Sequence, residues 1–254
     1  MRRIAGEPLQ YVLGEWEFRG IDLFVDARVL IPRPETEVTA QVAIDTARRL
    51  GARTGPADPW GGAQTAYTIV ELGTGSGAIA LALVNELPDA EVWATDASED
   101  ALAVARANLA GAGTGATRMR LAHGEWFAAL PAELEGKVRI AVSNPPYVSE
   151  AEVPTLPREV ADHEPRAALV SGPTGLEAVE QILRDAGRWM QPGGAVVLEI
   201  APHHAEVASE FARGAGYEEI TVHPDLTGRD RVLVAHVSSL SKKRGRLSKR
   251  EGGS

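Results

Sequence analysis

Four consecutive residues, Asn144-Pro145-Pro146-Tyr147, could do chemistry. They follow the short apolar run Val138-Arg139-Ile140-Ala141-Val142-Ser143, which reads as a buried strand. Neither proline has an N–H for a sheet ladder, so the chain must leave the sheet there. That places the turn at the carboxyl end of a strand, where open α/β sheets bind ligands. The Asn144 side-chain oxygen and the Pro145 carbonyl could each accept one N–H from a planar –NH2 group. An amide or exocyclic amine nitrogen would then be held flat with its lone pair toward an electrophile. Orientation alone can supply much of a rate, without a strong base. A rigid Asn-Pro-Pro turn with no chemistry explains the four residues equally well when they are taken alone.

A second group is Gly73-Thr74-Gly75-Ser76-Gly77, between an apolar run and an apolar-striped segment. Glycines there let backbone approach a ligand, and a following helix offers free N–H groups. The spacing is G-x-G-x-G, unlike the G-x-G-x-x-G that grips a dinucleotide pyrophosphate. Asp96 ends the next apolar run, where a carboxylate can accept from both hydroxyls of a ribose. A nucleoside without pyrophosphate suits both features and points to S-adenosyl-L-methionine. A glycine turn with a helix-capping Asp is the structural alternative. Trp126, after the third strand, suits either adenine stacking or a core. His123 and His163 lie near these motifs and read as solvated or structural.

These residues need a sheet to position them, and the apolar runs provide one. Strands are expected at 67–72, 91–95, 118–121, 138–143, 195–200, 217–223 and 231–237, with helices between most of them. Ser98 can cap one helix, with Glu99 and Asp100 in its first turn. Such alternation implies an α/β fold with a mostly parallel sheet and helices on both faces. Gln191-Pro192-Gly193-Gly194 reads as a turn, and 148–173 as a long excursion of a length that usually serves function. Residues 1–50 read as an N-terminal segment, with a small β-hairpin over 16–30 and no helical stripe over 6–13. The Ile31-Pro32-Arg33-Pro34-Glu35-Thr36-Glu37 stretch then leads into a helix ending near Leu50, where Glu35 and Glu37 suit its positive end. Residues 51–66 read as a linker, 67–240 as the main domain and 241–254 as a disordered basic tail.

Composition limits the alternatives. The 254 residues include no cysteine, which excludes disulfides, thiolate nucleophiles and cysteine metal sites. No apolar stretch approaches the ~20 residues of a membrane helix, and the amino terminus lacks a signal-peptide core. A cytoplasmic, monomeric protein is expected, with no metal. Net charge is −9, but six of the 26 basic and one of the 35 acidic residues lie in the tail, leaving −14 on residues 1–240. Such a body is a poor general binder of nucleic-acid phosphates.

With these residues in hand, the chain resembles the N(5)-glutamine methyltransferases of peptide-chain release factors, over roughly residues 5–237. The resemblance rests on Gly6-Glu7-Pro8-Leu9-Gln10-Tyr11, Leu30 to Glu37, Leu72 to Gly77, Ser143 to Tyr147, Glu164-Pro165 with Ala168-Leu169, and Thr227-Gly228-Arg229-Asp230-Arg231-Val232. Of these, the Ile-Pro-Arg-Pro-Glu-Thr-Glu stretch is the one that singles out the family. It implies a seven-stranded Rossmann-like S-adenosylmethionine-dependent methyltransferase fold. It implies that Gly73, Thr74, Gly75, Ser76 and Gly77 wrap the methionine part of the cofactor, that Asp96 holds the ribose, and that Trp126 lies beside the adenine; Asn144 is also expected to contact the cofactor. By the same token Asn144, Pro145, Pro146 and Tyr147 hold the substrate, the glutamine of a Gly-Gly-Gln tripeptide in a release factor. Asn144, Pro145 and Tyr147 are the expected catalytic residues, with Tyr147 packed on the glutamine methylenes. Arg33 and Glu35 are expected to shape the entrance.

This sequence departs from the family at Glu71 and Glu125, where Asp is more usual, and at Ala201-Pro202-His203-His204. The family carries a helical domain before the Gly-Glu-Pro segment. Only five residues precede Gly6, so the chain reads as lacking it. Two other functions remain open: an amino-group methyltransferase of nucleic acid or another protein, and a non-catalytic remnant that binds cofactor or release factor.

Overall fold

The computed structural model describes residues 2–52 and 67–239. Most of the linker expected at 51–66, and the whole tail expected at 241–254, lie outside the described residues. A 3-10 turn (Arg2–Ala5) comes first, then a one-turn helix α1 (Leu9–Leu13) and the antiparallel hairpin of β1 (Glu15–Phe18) and β2 (Ile21–Phe24). The hairpin is shorter than expected. Val25, Val29 and Ile31 are buried like strand residues, but they sit in coil and a turn closed by the Val29 N–H on the Asp26 carbonyl. Their alternation reflects packing without a partner strand. The helix α1 was not expected, because five residues are too short to show a 3.6-residue stripe. It buries Tyr11, whose hydroxyl donates to the Val29 carbonyl at 2.5 Å.

The long helix α2 (Pro34–Ala52) starts on a proline, which is preorganised for the first helical position, with Glu35 and Glu37 in the first turn. Then come β3 (Tyr67–Leu72), α3 (Ala78–Glu86), β4 (Ala90–Asp96), α4 (Glu99–Ala110), β5 (Met119–His123) and β6 (Val138–Ser143). The Ser98 hydroxyl caps α4 by accepting from the Ala101 N–H at 3.1 Å. The excursion over 148–173 has its own short elements: β7 (Val148–Ser149), α5 (Arg158–His163), α6 (Arg166–Leu169) and β8 (Val170–Gly172), with β7 and β8 paired in parallel. The chain continues through α7 (Glu177–Trp189), β9 (Met190–Glu199), α8 (Ala205–Gly214), β10 (Tyr217–Pro224) and β11 (Asp230–Val237). The turn expected at Gln191–Gly194 is instead the start of β9, and its pairing with β6 shifts register there. Gly193 takes φ +75°, and a Cβ on Gly194 would come within 2.8 Å of the Arg139 carbonyl. The glycines thus form an irregularity inside a strand rather than a turn between elements.

Seven strands form one sheet in the order β10-β11-β9-β6-β3-β4-β5. The β9-β6-β3-β4-β5 part is parallel, and β11 and β10 add an antiparallel edge. Alternate residues of the central strands serve two apolar cores. Ile69, Ile140, Val142 and Val197 face the α2–α3–α4 side, while Val70, Ala141, Val196 and Leu198 face α7 and α8. Each fully buried Val, Leu or Ile contributes about 1.5–3 kcal/mol, so sheet position is strongly enforced. Strand ends at one edge are thereby fixed relative to one another, and the candidate site lies on that edge.

Candidate active site

A cavity of about 420 Å³ opens at the carboxyl ends of β3, β4 and β6. Its floor is the loop from β3 to α3. Gly73 and Gly75 take φ +71° and +55°, and their neighbours Thr74 and Ser76 are buried. All four residues line the cavity. A Cβ on Gly73 would come within 3.5 Å of the Trp126 ring, so a side chain there would fill the gap between loop and indole. Gly77 does not line the cavity. At φ +86° it is the residue from which α3 starts, and its N–H donates to the Thr74 carbonyl at 2.8 Å.

Asp96 holds this loop in place. One carboxylate oxygen accepts from the Gly75 N–H at 2.8 Å and the other from the Ser98 N–H at 2.9 Å. Each oxygen keeps a lone pair for a further donor. Burial pushes the Asp96 carboxyl above its usual range, against the pull of those two backbone donors. Trp126 lines the opposite wall with φ +46°, an uncommon conformation for a bulky residue. It also packs partly on the α7–α8 core, so both readings of this residue describe its position.

Glu71 is a site residue that the spacing of motifs did not reveal. Its carboxyl is 2% exposed, lines the cavity, and accepts from the Thr74 hydroxyl and from the Ala80 N–H at 3.0 Å. Burial pushes it up to about 8. Its signal in the sequence is an acid inside the otherwise apolar Tyr67–Leu72 strand.

Asn144 and Pro146 line the cavity from the β6 side. The Ser143 hydroxyl, fully buried, donates to the Leu72 carbonyl at 2.6 Å. This bond fixes the distance between the Asn-Pro-Pro-Tyr turn and the glycine loop. The Asn144 side-chain N–H donates to the Thr36 hydroxyl at 3.1 Å, and among the described residues no hydrogen bond engages the amide oxygen. Pro145 is buried behind the turn and Tyr147 is half-buried; neither lines the cavity. Burial raises the Tyr147 hydroxyl to about 12, and the charges that act on it belong to Glu199, Arg231, Arg33 and Glu35. Tyr147, Arg33 and Glu35 therefore lie near one another on one flank, and none of the three lines the cavity.

Arg33 pairs with Glu164, whose carboxyl also accepts from the Ile31 N–H at 3.4 Å. Burial raises Glu164, and Arg33 opposes that shift. The pair ties the 148–173 excursion to the segment before α2, and Pro165, Ala167 and Ala168 complete the cavity wall. Glu35 lies 3.6 Å from Arg229 of the β10–β11 loop. His123 is exposed and bonds the Ala97 carbonyl at 3.0 Å, and neither it nor His163 lines the cavity.

A glycine loop, an acceptor at the end of the next strand and a facing indole, on a seven-stranded sheet with an antiparallel edge, define an S-adenosylmethionine-dependent methyltransferase. The chain matches the family described as "Methyltransferase small domain" over residues 38–163. It is 43% identical over 231 residues to the release factor glutamine methyltransferase of Gloeobacter violaceus, covering 90% of this chain and 74% of that protein. It is 41% identical over 236 residues to the protein of the same name from Moorella thermoacetica, covering 92% and 77%. A solved methyltransferase from Pyrococcus furiosus, 18% identical, shares the fold with a TM-score of 0.55 over 93% of this chain and 96% of that one. The chain belongs to the release factor glutamine methyltransferase family.

Proposed function

We propose that the chain transfers a methyl group from S-adenosyl-L-methionine to the side-chain amide nitrogen of the glutamine in the Gly-Gly-Gln motif of peptide-chain release factors. The observation that carries this reading is the position of Asn144, on a proline-containing turn that lines the same cavity as the glycine loop and Asp96.

The residues present fit the cofactor. Gly73, Thr74, Gly75 and Ser76 offer close backbone approach, the Asp96 oxygens have lone pairs for the ribose hydroxyls, and Trp126 offers a face for the adenine. Gly77 acts through the loop conformation that it permits. When bound, S-adenosylmethionine supplies an electrophilic methyl group. An amide nitrogen is a weak nucleophile, because its lone pair is delocalised into the carbonyl. In this proposal the substrate amide reaches past the cavity wall: the Asn144 oxygen, on the wall, and the Pro145 carbonyl, behind it, each accept one N–H and hold that nitrogen with its lone pair in line. As positive charge grows on the nitrogen, both acceptors bind it more strongly than in the ground state. The proton leaves afterwards to solvent. Tyr147, Pro146, Arg33 and Glu35 shape the approach of the substrate strand.

Among the described residues no helix is long and apolar enough to cross a membrane. The −14 charge of residues 1–240 supports action on protein rather than stable binding of nucleic acid, and a cytoplasmic, monomeric enzyme is part of the same proposal. The test is transfer of labelled methyl to a release factor and to the same factor with its Gly-Gly-Gln glutamine changed to alanine. Label on the first alone is expected. Equal label on both, or label on RNA instead, contradicts the reading.

A further inference from the structure

Part of the cavity wall comes from outside the main sheet. Arg28, Val29, Leu30 and Pro32, between the N-terminal hairpin and α2, line the cavity together with the glycine loop. This segment follows β2 directly, so its place depends on how the hairpin is attached to the rest of the fold. Leu23 and Val25 anchor the hairpin by burial in the α2–α3–α4 core. Burial of this kind has no direction of its own, and a directional contact is needed to set the wall against the loop.

Asn108, in the last turn of α4, supplies that contact. Its side-chain oxygen accepts from the Phe24 N–H at 2.7 Å. Its side-chain –NH2 donates to the Phe24 carbonyl at 3.0 Å and to the Ser76 carbonyl at 2.8 Å. A backbone N–H only donates and a carbonyl only accepts, so these three partners fix which end of the amide is which. The two bonds to Phe24 treat β2 as a neighbouring strand would, on a strand whose sheet has only two members. The third bond holds the glycine loop, because Ser76 is 3% exposed and lines the cavity. Asn is a poor residue for a helix, and three backbone partners, 84 and 32 positions away, account for this one.

We propose that Asn108 is a positioning residue that ties the hairpin-borne wall to the glycine loop, so that cofactor binding and hairpin attachment strengthen each other. The proposal rests on the cofactor site and not on the identity of the methyl acceptor. Asp96 and Asn108 then hold the loop at successive residues, Gly75 by its N–H and Ser76 by its carbonyl. Linkage makes the effect reciprocal. Whatever factor the attached hairpin adds to cofactor affinity, the bound cofactor adds to the attachment of the hairpin.

The experiment compares Asn108→Ala and Asn108→Asp with the wild type. Asn108→Asp keeps the size of the side chain and an acceptor for Phe24 but removes both donors. Affinity for S-adenosylhomocysteine is measured by calorimetry, and amide hydrogen exchange at Phe24 by NMR with and without that ligand. Ile200, whose N–H bonds the Arg231 carbonyl at 2.8 Å near the end of β9, is the control amide. Both variants are expected to lose about three- to ten-fold in affinity, the size of one net hydrogen bond. In wild type the ligand should slow exchange at Phe24 by a similar factor. In both variants Phe24 should no longer respond to the ligand, while Ile200 responds as it does in wild type. A Phe24 amide that ignores the ligand in wild type, or still responds to it in Asn108→Ala, overturns the proposal. Wild-type affinity in Asn108→Asp overturns it as well, because filling the space would then be enough. Should Asn108→Ala not fold, the wild type and Asn108→Asp carry the same decision. A wild type that binds no S-adenosylhomocysteine removes the cofactor site and the proposal with it; one that binds it without a response at Phe24 removes the proposal alone.

Discussion

Asp96 holds the glycine loop and lines the cavity, and this sets what its removal should do. Its oxygens hold the Gly75 and Ser98 N–H groups, and each keeps a lone pair for a further donor. Asp96→Ala is expected to weaken binding of S-adenosylhomocysteine by about 1.5–3 kcal/mol, the usual size for a hydrogen bond to a charged group. Calorimetric titration checks this, and unchanged affinity in a folded variant removes Asp96 from the ribose site. Glu71 leads to a pH prediction. Its folded carboxyl titrates near 8 against an ordinary 4.5, so between those values the folded chain keeps a proton that the unfolded chain releases. Stability from this group is therefore fully present below pH 4.5 and is lost as pH rises toward 8, by at most about 1.4 kcal/mol per pH unit. Glu71→Gln should flatten that slope in urea unfolding of the cofactor-free protein. An equal slope in both proteins contradicts a protonated Glu71. The motifs that meet at the cavity were legible one by one, because Asn-Pro-Pro-Tyr and the glycine loop each imply a local geometry. Thr36, Glu71 and Glu199 were not assigned, because their partners lie across the fold: Thr36 and Asn144 are 108 positions apart. The signal for the two acids was a charge inside an apolar strand, which a buried carboxyl needs hydrogen bonds to tolerate.

At the scale of elements, two supports hold the Asn-Pro-Pro-Tyr turn and the wall beside it. Gly175, just before α7, takes φ +83°, and a Cβ there would come within 2.6 Å of the Tyr147 carbonyl and 2.9 Å of the His204 ring. Gly175→Ala should cost about 1–3 kcal/mol through strain and the displaced turn. Thermal unfolding measures the loss, and an unchanged midpoint would show that the turn gives way freely. The other support is the Arg33–Glu164 pair, whose side chains are 31% and 1% exposed. The asymmetry sets an order of damage. Arg33→Ala leaves a buried carboxylate without its cation, whereas Glu164→Ala leaves a guanidinium that can turn to water. Arg33→Ala should therefore be the more destabilising by about 1 kcal/mol or more, measured by urea unfolding at neutral pH. The reverse order would mean that the pair is not what holds the excursion. Elements of the central sheet were legible because apolar runs of five to ten residues record burial on both faces. The helix Leu9–Leu13, the short elements inside 148–173 and the start of β9 were not, since one turn of helix, or a strand begun on Gln-Pro-Gly-Gly, has no periodicity to read.

The whole molecule joins these parts through its sheet order. The central strands β6 and β3 are neighbours, and from their carboxyl ends come the Asn-Pro-Pro-Tyr turn and the glycine loop. The β9 strand lies on the other side of β6 and brings Glu199 under the turn, while α2 crosses to present Thr36 and Thr39. The Asn-Pro-Pro-Tyr turn and the glycine loop thus meet at one sheet edge, around one cavity. This arrangement makes a specific demand on the product: the methyl group must lie on a side-chain amide nitrogen. The most direct measurement is to incubate the chain with isotopically labelled S-adenosylmethionine and a release factor, then locate the label by fragmentation mass spectrometry. The account predicts a single labelled methyl on the side-chain nitrogen of the Gly-Gly-Gln glutamine. A methyl on any other residue, on a backbone or carboxyl atom, or none at all with cofactor bound, would contradict it.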